Sequence, residues 1–169
     1  MKTVFLGDSL TDWNSKLRFV KNSENYGVAG FTTTDVIWQL KGDEEEIISG
    51  DKTILMIGIN DLMNNLDPDR IVLNIENIIE TLKKRFCEIY LISILPIDNL
   101  KINDKVIYIN DKLKNKKDFI FLDFYQSFTD KNGIIKRAYT TDGAHLSNEG
   151  YKVFNKLLED KGNVKFLEN

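Results

Sequence analysis

The sequence is poor in the residues that mark several common protein classes. It has one cysteine, one histidine and two prolines in 169 residues. A lone cysteine excludes an intramolecular disulfide framework and agrees with a reducing compartment. We expect that residue, Cys87, to be a small buried side chain at the start of a strand. One histidine and no clustered cysteines make a poor transition-metal site, so we predict no metal and no other cofactor.

The sequence also lacks long apolar runs and an excess of basic charge. No apolar run approaches the length of a membrane span, and residues 1–6 lead into a strand-like run without the regions of a signal peptide. We therefore expect no membrane span and a cytoplasmic location. The formal net charge of −3 gives no basic surface for nucleic acid. With 42% apolar residues and no repeat or linker, residues 1–169 are expected to form a single domain.

Strand-like and helix-like segments alternate along the chain. The strand-like runs are Thr3–Leu6, Ser23–Val28, Thr53–Ile57, Glu88–Leu95 and Phe119–Leu122. Helices are predicted after Thr33 or Thr34 with a resumption over Asp43–Ile48, over Pro68–Arg85, over Asn103–Lys116, and after Ser147. We expect Trp38 to pack in the core. This alternation predicts an α/β fold: a three-layer α/β/α sandwich with a flavodoxin-like, five-stranded parallel sheet in the order 2-1-3-4-5.

Ser9 follows the first predicted strand, in the string Gly7-Asp8-Ser9-Leu10. Ligands of open α/β sheets bind outside the carboxyl ends of the strands, where the strand order reverses. The single histidine, His145, has Asp142 three residues before it. Serine, histidine and a carboxylate are the parts of a triad in which the histidine takes the serine proton and the carboxylate orients the histidine. We predict that Ser9, Asp142 and His145 are catalytic.

Two further residues fit the donors that acyl transfer needs. A backbone amide approaches a substrate most closely at glycine, and an asparagine carboxamide donates without a titrating charge. Gly30 and Asn60 follow the second and third predicted strands, which border the first in this strand order. We expect the amides of Ser9 and Gly30 and the side chain of Asn60 to form an oxyanion hole.

Two segments decide whether these residues can meet. His145 must return to Ser9 across the sheet, and the long stretch 123–146 with little periodic pattern has the length for it. Loops of this length in compact domains are usually functional. By contrast, only residues 11–21 separate Ser9 from the second strand, so we expect a short helix there and an open site.

Four ordered blocks resemble those of the SGNH hydrolases, also called the GDSL lipase/esterase family. The blocks are Gly7–Leu10, Asn25–Gly30, Gly58–Asp61 and Asp142–His145. The resemblance implies a three-layer α/β/α hydrolase of acyl esters or thioesters that needs no cofactor. It also implies that the family's functional positions fall on Ser9, Gly30, Asn60, Asp142 and His145.

We therefore predict a serine esterase that cleaves a small-molecule ester, with a short acyl group such as acetyl. A lysophospholipase or thioesterase of the same family is an alternative. A receiver-like phosphoacceptor domain, of a different class, would use Asp8 and Asp61. Receivers need paired acids after the first strand and a lysine near the end of the fifth, and neither is found here. Leu10, Phe31, Met63 and Tyr139 are predicted pocket walls.

Overall fold

Five parallel strands form the centre of the protein in residues 1–42 and 47–167, which the computed structural model describes. They are β1 (Thr3–Gly7), β2 (Ser23–Asn25), β3 (Lys52–Met56), β4 (Glu88–Ile92) and β5 (Ile120–Leu122). Hydrogen bonds join them in the order β2-β1-β3-β4-β5. The predicted order 2-1-3-4-5 is confirmed.

Helices cover both faces of this sheet. They are α1 (Ser9–Asp12), α2 (Thr33–Lys41), α3 (Ile59–Met63), α4 (Pro68–Leu82), α5 (Leu100–Leu113), α6 (Tyr125–Phe128) and α7 (Asn148–Lys161). One face packs against α2, α4 and α5, and the other against α1, α6 and α7. The predicted α/β class and its layers are therefore confirmed.

Alternating side chains of the strands supply the two cores. On β1, Val4 and Leu6 point into the core beneath α2 and α4, whereas Phe5 points into the core beneath α7. Strand β3 repeats the pattern with Leu55 on one side and Ile54 on the other. A central strand of a parallel sheet is buried on both faces, so its sequence reads as an unbroken apolar run.

The start of α2 differs from the prediction. Its N-cap is Thr32, whose hydroxyl accepts from the Asp35 amide, while the Asp35 carboxylate accepts from the Thr32 amide at 2.8 Å. Thr33 lies inside the helix because its hydroxyl is bonded to Asp61 instead, at 2.5 Å. The predicted resumption over Asp43–Ile48 begins in residues 43–46, outside the described residues, and its last two residues are not helical.

Helix α5 begins three residues earlier than predicted. Its N-cap is Asn99, whose side chain accepts from the Ile102 amide. Asn103 is a buried residue of the first turn, and its carboxamide bonds to both the amide and the carbonyl of Ile97. Strand β2 ends at Asn25, three residues before the predicted end. The amides of Tyr26 and Val28, which follow it, still donate to carbonyls of β1.

Two expectations of burial are wrong. Trp38 is 65% exposed because it lies on the solvent side of α2, opposite the core-facing Val36 and Leu40. Cys87 is exposed and precedes β4, where its backbone amide donates to the carbonyl of Asp51. The free thiol therefore faces solvent rather than the core.

Candidate active site

Ser9 lies at the carboxyl end of β1, as the first residue of the one-turn helix α1. Asp8 is the N-cap of that helix, and its carboxylate accepts from the Leu10 amide at 3.0 Å. Gly7 allows this tight turn, because a side chain there would collide with the carbonyl of Met56 and with Thr11. The string Gly-Asp-Ser thus ends the strand and begins the helix within one residue.

The predicted triad residues are in contact. His145 Nε2 lies 3.1 Å from Ser9 Oγ, and His145 Nδ1 lies 2.6 Å from Asp142 Oδ2. An ionised carboxylate only accepts hydrogen bonds, so Nδ1 carries the proton and Nε2 faces the serine with its lone pair. This is the tautomer in which a histidine can take a serine proton.

The loop that presents His145 is held from several sides. The Asp142 carboxylate accepts from the His145 amide at 2.7 Å, and the Thr140 hydroxyl donates to the His145 carbonyl at 2.7 Å. Gly143 has a φ of +92° and accepts from the Asp98 amide at 2.7 Å. These bonds fix the histidine at the end of the long segment that returns from β5.

Asn60 lies in the first turn of α3, after β3. Its Nδ2 donates to the Phe31 carbonyl at 2.9 Å, and the second amide hydrogen remains for another acceptor. Gly30 directly precedes Phe31 and has a φ of +83°, in the left-handed region that favours glycine. In the described parts of the chain, no acceptor is bonded to the amides of Ser9 or Gly30.

A buried network holds the Gly30 turn against α3. The Asp61 carboxylate accepts from the Thr33 amide at 2.9 Å and from its hydroxyl, and Asn74 of α4 donates to that hydroxyl at 2.8 Å. Burial raises the pKa of Asp61, against the opposing effect of the Thr33 bonds. The network links the start of α2 to the residue that follows Asn60.

Ser9, Asn60 and His145 open onto a cavity of about 80 Å³. The remaining lining is almost entirely apolar and includes Leu10, Ile57, Met63, Ile94, Leu95 and Ile97. Two of the predicted wall residues, Leu10 and Met63, therefore line this cavity.

The other two predicted wall residues do not line it. The ring of Tyr139 packs edge-on against Phe128, with 5.7 Å between centroids, in the core beneath α7. Phe31 packs on the opposite core and reaches the site only through its carbonyl, which Asn60 occupies. Both residues were predicted as walls because they lie close in sequence to the motif blocks. Their side chains instead pack against the two cores and do not face the cavity.

The three acidic residues of the site have different environments. Burial raises the pKa of Asp8 to about 6, against the Leu10 amide and the charge of His145. The amide and ring of His145 and the Ala144 amide lower the pKa of Asp142 to about 2. Asp142 is thus ionised beside the histidine over the whole ordinary pH range. Asp8 and Asp61 are each used in capping a helix start rather than paired as in a receiver domain.

Sequence reasoning assigned no role to Trp13, yet its indole lies on His145. The ring centroids are 4.5 Å apart at an interplanar angle of 32°. The signal in the sequence was the spacing, because Trp13 comes four residues after Ser9 and so one helical turn away.

The described ranges hold no cluster of three or more histidine, cysteine or acidic side chains arranged to bind a metal ion. In those same ranges, no helix has both the length and the apolar character needed to cross a bilayer.

Comparison with known proteins places this geometry in a family. N-acylneuraminate cytidylyltransferase of Escherichia coli is 27% identical over 92% of the chain, although the chain spans only 39% of that protein. Platelet-activating factor acetylhydrolase IB subunit alpha2 of Rattus norvegicus is 25% identical over 93% of the chain and 74% of its own length. A GDSL-like lipase from Bacteroides thetaiotaomicron has the same fold, with a TM-score of 0.79 at 24% identity over 94% of this chain and 86% of its own.

The model of the GDSL-like lipase/acylhydrolase family matches residues 5–153. That range contains Ser9 at the end of β1, Gly30, Asn60 and the histidine loop described above. The chain therefore belongs to the GDSL-like lipase/acylhydrolase family and is a hydrolase of ester bonds.

Proposed function

We propose that the protein is a serine esterase that removes short acyl groups, such as acetyl, from a small-molecule ester. One observation carries the proposal: Asp142, His145 and Ser9 form an unbroken line of contacts of 2.6 Å and 3.1 Å at the mouth of the apolar cavity. The arrangement matches the requirements of acyl transfer through a serine, in which base, orienting carboxylate and nucleophile must be in hydrogen-bond reach.

In the proposed reaction, Ser9 Oγ attacks the acyl carbonyl carbon while its proton moves to His145 Nε2. The tetrahedral intermediate collapses as His145 returns that proton to the leaving alcohol, and Ser9 is left acylated. His145 then removes a proton from water, whose oxygen attacks the acyl carbon. The bond from that carbon to Ser9 Oγ breaks as His145 returns the proton to Ser9, and the acid is released. Asp142 stabilises the imidazolium that forms in both halves of the reaction.

The oxyanion would be bound by the amides of Ser9 and Gly30 and by the second hydrogen of Asn60 Nδ2. None of these three donors has an acceptor among the described residues. The bond from Asn60 to the Phe31 carbonyl supports this assignment, because it fixes the carboxamide before substrate arrives. Donors that need no reorganisation are the ones that stabilise a developing charge most.

The cavity supports the short acyl group. A volume of about 80 Å³ is well below the roughly 300–1,000 Å³ of pockets that hold drug-sized ligands, so the cavity suits a small group. Its apolar lining suits a methyl or propyl group, which loses no hydrogen bond on entering. The name of the acetylhydrolase relative, which is 25% identical to this chain over the aligned residues, points the same way.

A chain-length series of p-nitrophenyl esters tests the proposal. We expect kcat/KM to be highest with the acetate or butyrate and at least about tenfold lower with the octanoate and laurate, which exceed the cavity. Ile94→Ala should enlarge the cavity and raise the rate with the octanoate relative to the acetate. An exposed counterpart, Ile107→Ala on α5, should leave the ratio unchanged.

Three outcomes separate the alternatives. A maximum with the octanoate or laurate would favour a lysophospholipase or thioesterase of the same family. Equal rates for wild type and Ser9→Ala on every ester would contradict a serine esterase. A preference for acetate that Ile94→Ala does not alter would leave the esterase in place but remove the cavity as the acyl site.

A further inference from the structure

Trp13 covers one face of the histidine that the proposed reaction uses. Its indole and the imidazole of His145 lie 4.5 Å apart between centroids and are tilted by 32°. The edge of the same imidazole contacts Asp142 through Nδ1 and Ser9 through Nε2. Both nitrogens and one face of the ring are thus in contact with other side chains.

The position of Trp13 is determined by the helix that begins with Ser9. Trp13 is the C-cap of α1, and its amide donates to the Ser9 carbonyl at 2.9 Å. The next residue, Asn14, is buried and exchanges two side-chain hydrogen bonds, of 2.7 Å and 3.3 Å, with Asn155 of α7. The backbone that carries the indole is therefore fixed by the Ser9 turn on one side and, through Asn14, by α7 on the other.

This placement has a chemical consequence for the histidine. The face of an indole carries negative potential and attracts a cation positioned over it. The imidazole is neutral before the serine proton moves and cationic afterwards, so the attraction grows during the transfer. The charged groups that face His145 are Asp142 on its own loop and Asp8 at the start of α1. The indole of Trp13 is a third group beside the imidazole, and it offers the ring an aromatic face.

We propose that Trp13 is a positioning residue, which holds the His145 ring between Asp142 and Ser9 and stabilises the imidazolium form. The inference rests on the proposed function. Because the Trp13 side chain is 52% exposed, replacing it removes little buried surface. Trp13 belongs to the short segment that follows Ser9, and its ring covers one face of the histidine.

Kinetics of two variants test the role. We expect Trp13→Leu, which keeps an apolar cover but has no aromatic face, to lower kcat for p-nitrophenyl acetate about 3- to 10-fold with little change in KM. The acid limb of its kcat/KM profile should move to lower pH by up to about half a unit, since the imidazolium is less stabilised. Trp13→Phe should restore most of the rate and of the pH profile. Equal loss in both variants, or a change in KM alone, would overturn the role.

Fluorescence tests the contact without any ester. Trp13 and Trp38 are the two tryptophans of the chain, and Trp38 is exposed on α2. In a Trp38→Phe background, the emission of Trp13 should change in one step with pH, and His145→Asn should abolish that step. The same step in a Trp38→Phe, Ser9→Ala double variant would support the stack even if no ester were cleaved. Absence of a step that depends on His145 would contradict the inference, whatever the esterase activity.

Discussion

The carboxylate of Asp142 is bonded to both the ring and the backbone of His145. One oxygen lies 2.6 Å from Nδ1, and the other accepts from the His145 amide at 2.7 Å. A spacing of three residues makes this possible, because the carboxylate closes a turn whose last residue is the histidine itself. The same interaction therefore sets the loop conformation and the tautomer.

This relationship predicts a large effect of Asp142→Asn. The amide keeps an oxygen for the backbone but no longer holds a negative charge against the ring, so the imidazolium is less stable and the tautomer is no longer fixed. We expect kcat for p-nitrophenyl acetate to fall about 10²- to 10³-fold. That is less than for a buried triad carboxylate, because the Asp142 side chain is 54% exposed and solvent screens its charge. Asp123→Asn, in the same long loop, is the control and should retain full activity.

Asn60→Ala tests the oxyanion hole. Removing the carboxamide takes away one donor to the developing charge, and such losses lower kcat by about 10²- to 10³-fold. KM should change little, because the donor binds the intermediate more strongly than the ester. The exposed Asn64, at the end of the same helix, provides the matched control Asn64→Ala. An effect of Asn60→Ala on KM alone would argue against the assigned role.

Gly143→Ala tests the geometry of the histidine loop. Its φ of +92° disfavours a side chain, and a Cβ there would lie 2.9 Å from the Cβ of Asp98. The loop must shift, and a displacement of about 1 Å at His145 can lower kcat about 100-fold. Gly133→Ala is the control, since Gly133 has a φ of +82° and a Cβ would meet only the end of the Leu100 side chain. It should cost similar stability, measured by thermal unfolding, and leave kcat unchanged.

Asp8→Asn tests the buried carboxyl beside Ser9. In the folded protein, burial raises the pKa of Asp8 from the ordinary 3.8 to about 6. Ionisation of this carboxyl group therefore destabilises the fold. The free energy of unfolding of the wild type should therefore decrease as the pH rises from about 4 to about 6, by about 2–3 kcal/mol. Asparagine keeps an oxygen for the Leu10 amide without the charge.

Urea denaturation at about pH 4 and about pH 7.5 measures this effect. Relative to the wild type, Asp8→Asn should be more stable at the higher pH by up to about 2 kcal/mol and nearly equal at the lower one. Asp61 is present in both proteins, so the comparison measures what the Asp8 charge adds, including its repulsion by Asp61. If the difference between the two proteins did not change with pH, Asp8 would not be the buried acid that the geometry indicates.

Sequence patterns were sufficient for the features that depend on local repetition. The unbroken apolar run of β3 and the Asp-Pro start of α4 both lie within two residues of their predicted bounds. Right-handed crossovers between such segments leave few strand orders, and the order chosen among them is the one observed. The side chains at the ends of β1 and β3 could therefore be predicted to lie at one edge of the sheet.

The remaining features depend on contacts between distant parts of the chain. Thr33 could not be excluded as a cap without knowing that Asp61 takes its hydroxyl. Tyr139 lies close to His145 in sequence, yet its ring packs on Phe128 in the core. The stack of Trp13 on His145 joins two residues separated by most of the chain, and the spacing of Trp13 from Ser9 does not by itself specify that contact.

Covalent labelling tests the central claim, that Ser9 is the nucleophile activated by His145. Diethyl p-nitrophenyl phosphate should transfer one diethylphosphoryl group to the protein, and peptide mass spectrometry should locate it on Ser9. Ser9→Ala should take up no label and lose at least about 10³-fold in kcat on p-nitrophenyl acetate, and His145→Asn should be labelled far more slowly. A label on another residue, together with undiminished turnover by Ser9→Ala, would contradict the account.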